Sequence, residues 1–300
     1  MRSGIVTLIG RPNVGKSSLL NALVGRKLSI VSHKPQTTRH AIQGVLHAGD
    51  GQVVFVDTPG LHLQARKALN RAMNDAAAGS LHDVDLVVLV VEALRWTEED
   101  QAVLERLQGM PAPVALVVNK VDRVSDKTRL LPELEQLSQR RDFAFVMPLS
   151  ATQGHNVATL GAEIMARMPE GPPLYPPDMI VSYDNAFLAA EIVREKLTRS
   201  LHQELPYSLT VAIERYTVED LQRGPGQMHR IGAVIWVERD GQKKIVIGED
   251  GSTLKRVGSA ARRELERLLD ARVFLQLWCR VRENWSDDPK ALRQFGLSGE

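Results

Sequence analysis

Apolar and polar positions in the first 170 residues alternate between two kinds of segment. Short apolar runs, each the length of one buried strand, occur at Ile5–Ile9, Val53–Val56, Leu86–Val91, Val114–Val118 and Phe143–Leu149. Between them lie stretches with apolar residues three and four positions apart, as in amphipathic helices; examples are Gln101–Leu107 and Asn156–Met168. Apolar strands that alternate with helices predict an α/β domain built on a mainly parallel sheet with helices on both faces.

One pair of strands in this domain departs from the parallel pattern. Gly49-Asp50-Gly51 separates Ala41–Ala48 from Gln52–Val56, and this glycine-rich turn between two extended runs predicts an antiparallel hairpin.

A proline-rich segment interrupts the alternation. Residues 171–178 hold four prolines, which cannot lie inside a helix or a central strand. We therefore predict a stiff linker at 171–178 between an N-terminal domain (1–170) and a C-terminal domain (179–300).

The C-terminal domain has a different order of elements and reads as an α+β fold. A long amphipathic helix is predicted at Ala186–Leu205, and strands at Ser208–Glu214, Ala233–Arg239, Lys243–Ile247 and Arg272–Val281. A glycine loop, Gly248–Gly251, precedes a helical stretch, Ser252–Leu269, which Gly258 is expected to interrupt.

The composition limits the class of protein but does not indicate a function. With 43% hydrophobic and 25% charged residues and a net charge of +2, the chain fits a soluble globular protein, and no apolar run reaches the length of a membrane span. Its single cysteine excludes an intrachain disulfide, as is usual in a reducing cytosol.

The strongest chemical signal follows the first predicted strand. Its eight residues match a phosphate-binding loop and open a helix: Gly10, Arg11, Pro12, Asn13, Val14, Gly15, Lys16 and Ser17. In such a loop the backbone N–H groups surround phosphate oxygens, Lys16 reaches the β- and γ-phosphates, and the Ser17 hydroxyl binds Mg²⁺.

Two further segments complete the expected phosphate and Mg²⁺ site. Asp57-Thr58-Pro59-Gly60 ends the strand Val53–Val56, where Asp57 can support Mg²⁺ and Gly60 can offer its N–H to the γ-phosphate. The polar segment Ser32–His40 contains Thr37 and Thr38, one of which is expected to complete the Mg²⁺ shell when the γ-phosphate is present. We favour Thr38.

The next motif indicates guanine. Asn119, Lys120, Val121 and Asp122 follow the strand Val114–Val118. A carboxylate at Asp122 can accept hydrogen bonds from N1–H and the exocyclic amine of guanine, whereas adenine has neither donor at those positions. Ser150 and Ala151, after the strand Phe143–Leu149, fit a backbone contact to the guanine carbonyl.

These motifs, in this order, resemble the Era family of bacterial GTPases. The resemblance runs from residue 4 to about residue 297 and includes Lys34-Pro35-Gln36-Thr37-Thr38-Arg39-His40, the glycine loop and Trp278–Trp285. It implies a P-loop GTPase domain followed by a type II KH domain. It also implies binding near the 3′ end of small-subunit ribosomal RNA, a role in assembly of the small ribosomal subunit, and peripheral contact of a monomeric cytoplasmic protein with the inner membrane.

The residues of the C-terminal domain support RNA binding through a glycine loop. Gly248 and Gly251 would let the backbone clamp nucleotides, and basic residues flank them at Lys243, Lys244, Lys255, Arg256, Arg262 and Arg263. Glu249 and Asp250 depart from the pattern of such KH loops, which usually carry basic or neutral residues at these positions. Two carboxylates here would repel a phosphodiester.

The sequence also raises two points about catalysis. Leu61 stands where Ras-like proteins carry a water-orienting glutamine, so we expect a low intrinsic rate of GTP hydrolysis. Asn13 lies at the loop position where a cation-dependent subset of GTPases uses asparagine to help hold K⁺. Alternatively, Asn13 stabilises only the turn of the loop.

Three other functions remain as alternatives. A small-molecule kinase with a phosphate loop would not need the motif Asn119–Asp122. A plain RNA-binding module with a vestigial nucleotide site would not need Lys16 and Ser17. A membrane-remodelling GTPase could use the amphipathic helix near Asn185–Leu205, although a core-facing KH helix explains its apolar stripe better.

Overall fold

The computed structural model describes residues 1–32, 34, 36–60, 67–180, 183–201, 205–221 and 226–297. Several predicted features lie outside the described residues: His33 and Pro35 of the polar segment, Leu61, and residues 202–204 of the predicted long helix. The chain forms two compact units, one made of Met1–Arg66 and Asn70–Ser182, the other of Lys67–Leu69 and Tyr183–Glu300. Within the described ranges, no helix has the length and apolar character needed to cross a bilayer.

Strands and helices alternate in the first half of the chain. In order they are β1 (Ser3–Ile9), α1 (Lys16–Val24), β2 (Ile42–Ala48), β3 (Gly51–Asp57), α2 (Ala68–Gly79), β4 (Leu86–Glu92), α3 (Glu98–Arg106), β5 (Val114–Asn119), α4 (Leu130–Ser138), β6 (Val146–Pro148) and α5 (Val157–Arg167). The sheet order is β2-β3-β1-β4-β5-β6. All neighbours pair in parallel except β2 and β3, which form the predicted antiparallel hairpin.

Burial explains why the central strands are apolar throughout. Every residue of β3 is buried, and so is every residue of β4 from Leu86 to Val91. Strands buried on both faces cannot alternate apolar and polar residues, so the continuous apolar runs follow from the covered sheet. The α/β fold class predicted from these runs is confirmed.

The proline-rich segment is held against the β2–β3 hairpin. The buried amide of Gln52 accepts hydrogen bonds from the backbone N–H groups of Leu174 (2.8 Å) and Tyr175 (2.9 Å) and donates one to the Tyr175 carbonyl (2.8 Å). The Tyr175 hydroxyl donates to Gln43 at 2.7 Å. This segment contains no helix or strand, in keeping with its prolines.

The second unit is a three-stranded sheet with helices. Its elements are α6 (Asn185–Ser200), β7 (Leu209–Asp220), β8 (Gln227–Val237), α7 (Asp240–Ile247), α8 (Ser252–Leu269), β9 (Arg272–Val281) and α9 (Pro289–Gln294). Strand β8 lies in the centre, antiparallel to β7 and parallel to β9. Helix α6 packs on α8 and β7, and α8 packs on β9.

One prediction for this unit is wrong: Lys243–Ile247 is the end of helix α7 and not a strand. The run of Ile245, Val246 and Ile247 favours a strand locally. However, the Gln242 side chain accepts from the N–H groups of Glu238 (2.8 Å) and Arg239 (3.1 Å), which starts a helix just before these residues. Tertiary context and capping therefore outweigh β propensity here.

Other boundaries differ in length. Helix α6 ends at Ser200 rather than Leu205, and β7 and β8 extend farther than predicted, to Asp220 and from Gln227. Helix α8 runs without a break through Gly258. A Cβ at this position would lie 3.2 Å from the Leu277 side chain of β9. The glycine thus allows close helix–strand contact rather than interrupting the helix.

Candidate nucleotide and RNA sites

The phosphate loop depends on two glycines whose backbone leaves no room for a side chain. Gly10 and Gly15 have φ angles of 154° and 104°. A Cβ at Gly10 would lie 2.3 Å from the Val90 carbonyl oxygen, and one at Gly15 would lie 2.3 Å from the Asn119 amide nitrogen. These positions therefore need glycine for both conformation and space.

Lys16 begins helix α1 and lies folded back over the loop. Its ammonium donates hydrogen bonds to the carbonyls of Gly10 (2.8 Å) and Arg11 (3.0 Å). Burial lowers the pKa of Lys16 to about 8, and the nearby Asp57 carboxylate opposes that shift. A desolvated ammonium is a strong partner for an anion, so the loop is prepared for phosphate.

Three oxygen-bearing side chains converge beside the loop. The Ser17 hydroxyl donates to Asp57 at 2.7 Å, and the Ser17 and Thr38 hydroxyls lie 2.8 Å apart. The Thr38 hydroxyl is also 3.5 Å from the same Asp57 oxygen. Burial raises the pKa of Asp57, whereas Lys16 and the hydroxyl hydrogen bonds lower it in part.

Thr37 points to a different set of partners. Its hydroxyl donates to the Lys34 carbonyl at 2.6 Å and lies 2.6 Å from the Ser32 hydroxyl. Thr38 therefore joins the cluster of Ser17 and Asp57, whereas these two contacts tie Thr37 to Lys34 and Ser32.

The guanine-type motif lies at the end of β5 and is tied to two other loops. The Asn119 amide donates to the Val14 carbonyl (2.8 Å), and its oxygen accepts from the N–H groups of Lys120 (2.7 Å) and Ala151 (3.1 Å). Ser150 donates to one Asp122 oxygen at 2.5 Å, which fixes the orientation of that carboxylate. Asn119 thus connects the phosphate loop with both segments predicted to contact a base.

These parts surround a cavity of about 380 Å³. The predicted residues that line it are Arg11, Pro12, Asn13, Gly15, Lys16, Ser17, Thr38, Gly60, Asn119 and Lys120. The other predicted residues are not among those that line the cavity: Gly10, Val14, Asp57, Thr58, Pro59, Val121, Asp122, Ser150 and Ala151. The structure therefore brings the separate motifs together around one site.

Gly60 approaches the phosphate loop closely. A Cβ at Gly60 would lie 2.8 Å from the Pro12 nitrogen and 2.9 Å from Pro12 Cα. A side chain here would push the segment after Asp57 away from the loop, so glycine is required for the contact.

Glu92, at the end of β4, is a site residue that the sequence analysis missed. Its carboxylate pairs with Lys120 at 3.0 Å and Arg11 at 3.1 Å. Although burial alone would raise its pKa, the hydrogen bonds and charges of Lys120 and Arg11 lower the pKa of Glu92. Arg11 is further held by Asp100 at 2.9 Å.

Glu92 and Asp100 belong to no short motif, so no local sequence signal marked them. Ser29, which donates to Asp57 at 2.8 Å, was missed for the same reason. The available signal was the placement of Glu92 at the carboxyl end of a central strand, next to the strand that carries Asn119.

The glycine loop of the second unit joins two helices. Gly248 and Gly251 have φ angles of 75°, and Asp250 between them has φ 49°. A Cβ at Gly248 would lie 2.5 Å from the Thr253 hydroxyl, whereas the space around Gly251 is open. The predicted strand–loop–helix arrangement is therefore corrected to helix–loop–helix.

The predicted basic residues differ in their distance from this loop. Lys243 and Lys244 lie on α7 and Lys255 and Arg256 on the first turns of α8, next to the loop. Arg262 and Arg263 lie roughly 15 Å from the start of α8, given a rise of about 1.5 Å per residue. Ile245 of α7, 57% exposed, is an apolar neighbour of the loop that the sequence analysis did not select.

The fold and the cavity together define a P-loop GTPase followed by a KH domain. A family model described as a 50S ribosome-binding GTPase matches residues 5–120, and a KH-domain model matches residues 204–286. The GTPase Era of Stenotrophomonas maltophilia (strain K279a) is 53% identical over 293 residues, covering 98% of this chain and 96% of that protein. The GTPase Era of Xanthomonas oryzae pv. oryzae (strain MAFF 311018) is 54% identical over 295 residues, covering 98% and 97%.

Solved structures agree over the full length. A single-residue variant of Aquifex aeolicus Era bound to GDP·AlF4⁻ has a TM-score of 0.94 and 36% identity and covers 100% of both chains. An Era complex with MgGDPNP and nucleotides 1506–1542 of 16S ribosomal RNA has the same TM-score, identity and coverage. The chain belongs to the Era family of GTPases: it binds guanine nucleotide with Mg²⁺ and hydrolyses GTP.

Proposed function

We propose that this GTPase is a switch that binds the 3′ region of 16S ribosomal RNA through its KH domain and acts in assembly of the small ribosomal subunit. The observation that supports this most strongly is the full-length similarity to Era solved with MgGDPNP and a 16S segment. The glycine loop with its flanking lysines supplies a chemically suitable RNA contact.

In the nucleotide site, the phosphates are bound by the phosphate loop: Gly10, Arg11, Pro12, Asn13, Val14, Gly15, Lys16 and Ser17. Ser17 and Thr38 would hold Mg²⁺ with their hydroxyl oxygens. Asp57 would support the metal site by accepting hydrogen bonds from these hydroxyls. The buried Oδ1 of Asp57 has no hydrogen-bond partner among the described residues. An ionised carboxylate with a spare buried oxygen beside two hydroxyls fits a hard cation with oxygen ligands.

The base contacts follow from the loops joined by Asn119. Asp122 accepts from the guanine N1–H and amine, Lys120 and Val121 flank the base, and the segment Ser150–Ala151 supplies a backbone contact to the guanine carbonyl. Ser150 keeps the Asp122 carboxylate turned for this task.

For hydrolysis, Lys16 and the loop amides neutralise charge that develops on the phosphates, and Mg²⁺ supplies further neutralisation when bound. Gly60, in Asp57-Thr58-Pro59-Gly60, offers its N–H to the γ-phosphate, and Thr38 senses that group. Because Leu61 cannot orient water by a hydrogen bond, the intrinsic rate is low, as suits a timed switch.

A bound K⁺ beside Asn13 is a further part of the proposal. Asn13 has φ 65°, a conformation that asparagine tolerates well. The residue can therefore stabilise the turn of the loop, and it can also help to hold the cation. GTPase rates in KCl and NaCl at matched ionic strength, for wild type and Asn13→Ala, separate the two roles. Faster hydrolysis in KCl, lost in the variant, supports the cation; equal rates leave only the turn.

The RNA contacts are assigned to the glycine loop and to Lys243, Lys244, Lys255, Arg256, Arg262 and Arg263. A linker between the domains at residues 171–178, a monomeric state and a cytoplasmic protein with a peripheral inner-membrane fraction complete the proposal. The monomeric state and the location rest on the family resemblance, and sedimentation with and without inner-membrane vesicles tests them.

The experiment that tests the function is a titration of the wild-type protein, loaded with Mg²⁺ and a non-hydrolysable GTP analogue. The probes are the 16S segment 1506–1542 and a shuffled RNA of equal composition. We expect tighter binding of the 16S segment. Equal affinity for both RNAs would mean that the protein binds RNA without sequence preference. That result would overturn the assignment to the small-subunit RNA.

A further inference from the structure

Strand β9 presents an unusual set of side chains to solvent. Val273, Leu275, Leu277 and Cys279 alternate with Arg272, Phe274, Gln276, Trp278 and Arg280. The first set includes the buried Val273 and Cys279, whereas every residue of the second set is exposed. A strand in a one-sided sheet needs no aromatic residues on its solvent face, yet Phe274 and Trp278 are 44% and 43% exposed there.

The aromatic residues border a hollow in this open face. The hollow has a volume of about 300 Å³ and is lined by Arg215, Glu219, Arg230, Gly232, Phe274 and Gln276, with Ile231 beneath. A Cβ at Gly232 would lie 3.2 Å from the Trp278 ring and 3.4 Å from Arg215 Cβ. Glycine thus leaves the floor open between an aromatic ring and an arginine.

The positive charge of this face suits an anionic ligand with planar groups. Arg230 lies over the Phe274 ring at 5.5 Å and pairs with Glu219 at 2.9 Å, and Arg280 pairs with Glu214 at 2.7 Å. In the part of the chain that the structure describes, Arg215 and Arg272 have no carboxylate within ion-pair distance. Four arginines against two glutamates leave the face positive.

We propose that this open sheet face is a second RNA-binding surface, which holds single-stranded RNA with one base stacked on Phe274. The base occupies the hollow over Gly232, the Gln276 amide offers a donor and an acceptor to the base edge, and Arg215 contacts a phosphate. Stacking of bases on aromatic side chains within a positive groove is a general mode of single-strand recognition. The glycine loop joins helices α7 and α8, and α8 approaches β9 on the face of Leu277, since a Cβ at Gly258 would lie 3.2 Å from that side chain. The face that carries Phe274 is the opposite one, so this surface is separate from the glycine loop.

The inference rests on the proposed RNA binding and is tested on the full-length protein. The 16S segment 1506–1542, carrying 4-thiouridine, is titrated and then crosslinked, and the crosslinked peptides are identified by mass spectrometry. The variants are Phe274→Ala, Phe274→Trp and Arg215→Ala. The matched controls are Leu131→Ala and Arg106→Ala, which change exposed residues of the first unit.

We expect crosslinks in β9 and a loss of RNA affinity of about tenfold for Phe274→Ala, since one stacked base is lost. Phe274→Trp retains the affinity because it retains the stacking surface. Arg215→Ala lowers the slope of log affinity against log salt by about 0.7, the value for one phosphate contact with a single strand. The GTPase rate and the melting temperature stay at wild-type values in all three variants.

Two outcomes would overturn the inference, and they can be told apart. If wild type binds the segment but Phe274→Ala and Arg215→Ala bind it equally well and no crosslink falls in β9, the second surface is wrong while the proposed function stands. Loss of binding to anionic vesicles in these variants would then identify the face as a membrane surface. If wild type binds no RNA at all, both proposals fail.

Discussion

The nucleotide site and the RNA-binding loop of this protein are built in opposite ways. In the first unit, Lys16, Asp57 and Asn119 are buried and each makes two or more hydrogen bonds to other parts of the site. In the second unit, Glu249, Asp250, Lys255 and Arg256 are exposed. Buried polar groups need partners, so each residue of the nucleotide site constrains the next. An exposed loop has no such constraint.

This difference predicts how mutations act. A single change in the nucleotide site should remove a function, because no neighbour can replace a buried charge or a glycine. A single change around the RNA loop should shift affinity in steps, because many exposed charges share the contact with the RNA backbone.

The largest effect is expected from Lys16→Ala. Loss of the ammonium leaves the β- and γ-phosphates without their main cationic side chain, so the GTP hydrolysis rate should fall by about a hundredfold or more. Phosphate release under multiple turnover measures this rate, and RNA affinity serves as the control for folding. Hydrolysis at the wild-type rate would remove Lys16 from the site.

The next effect is a change of base preference in Asp122→Asn. The amide turns a donor toward the guanine donors, so we expect GTP affinity to fall by about a hundredfold and XTP affinity to rise. Parallel titrations with GTP and XTP measure both values. Unchanged GTP affinity would show that Asp122 does not contact the base.

The pKa of Lys16 predicts a smaller effect of pH. Burial lowers this pKa to about 8 without nucleotide, and bound phosphates should raise it. Nucleotide binding then takes up a proton, so affinity should fall as pH rises above about 8, by up to tenfold per pH unit. GDP titrations between pH 7 and 9 in buffers of different ionisation enthalpy measure the proton uptake. Constant affinity across this range would contradict a lowered pKa.

The smallest effect is expected from the change of a single exposed charge in the RNA loop. Glu249→Lys replaces a repelling carboxylate with an ammonium, so RNA should bind a few times more tightly and the salt dependence should steepen. RNA titrations at several salt concentrations measure both changes, with Glu135→Lys on α4 as an exposed charge control. A matched gain in the control would assign the effect to net charge rather than to the loop.

The same contrast explains what the sequence could and could not predict. The phosphate loop and Asn119–Asp122 were recognisable because local backbone chemistry fixes their residues at short spacing. Glu92 and Asp100 reach Arg11 from distant strands and helices, and no short motif records such a contact.

In the second unit, local signals conflicted with the fold. Ile245, Val246 and Ile247 have strand propensity, but capping by Gln242 places them in a helix. The ends of β7 and β8 were missed because their exposed polar residues, such as Glu219 and Arg230, give no apolar run, although the two strands pair there. Pairing between distant segments is not visible in a local pattern.

The most direct test that the glycine loop binds RNA separately from the nucleotide site is one RNA titration of Gly251→Asp. The variant is titrated beside wild type, both loaded with Mg²⁺ and a labelled GTP analogue. Gly251 has φ 75° and open space around it, so an aspartate strains the loop and adds a third carboxylate toward the RNA. We expect the variant to keep its nucleotide and to lose at least about tenfold in affinity for the 16S segment. RNA binding equal to wild type, or loss of the nucleotide together with the RNA, would contradict this expectation.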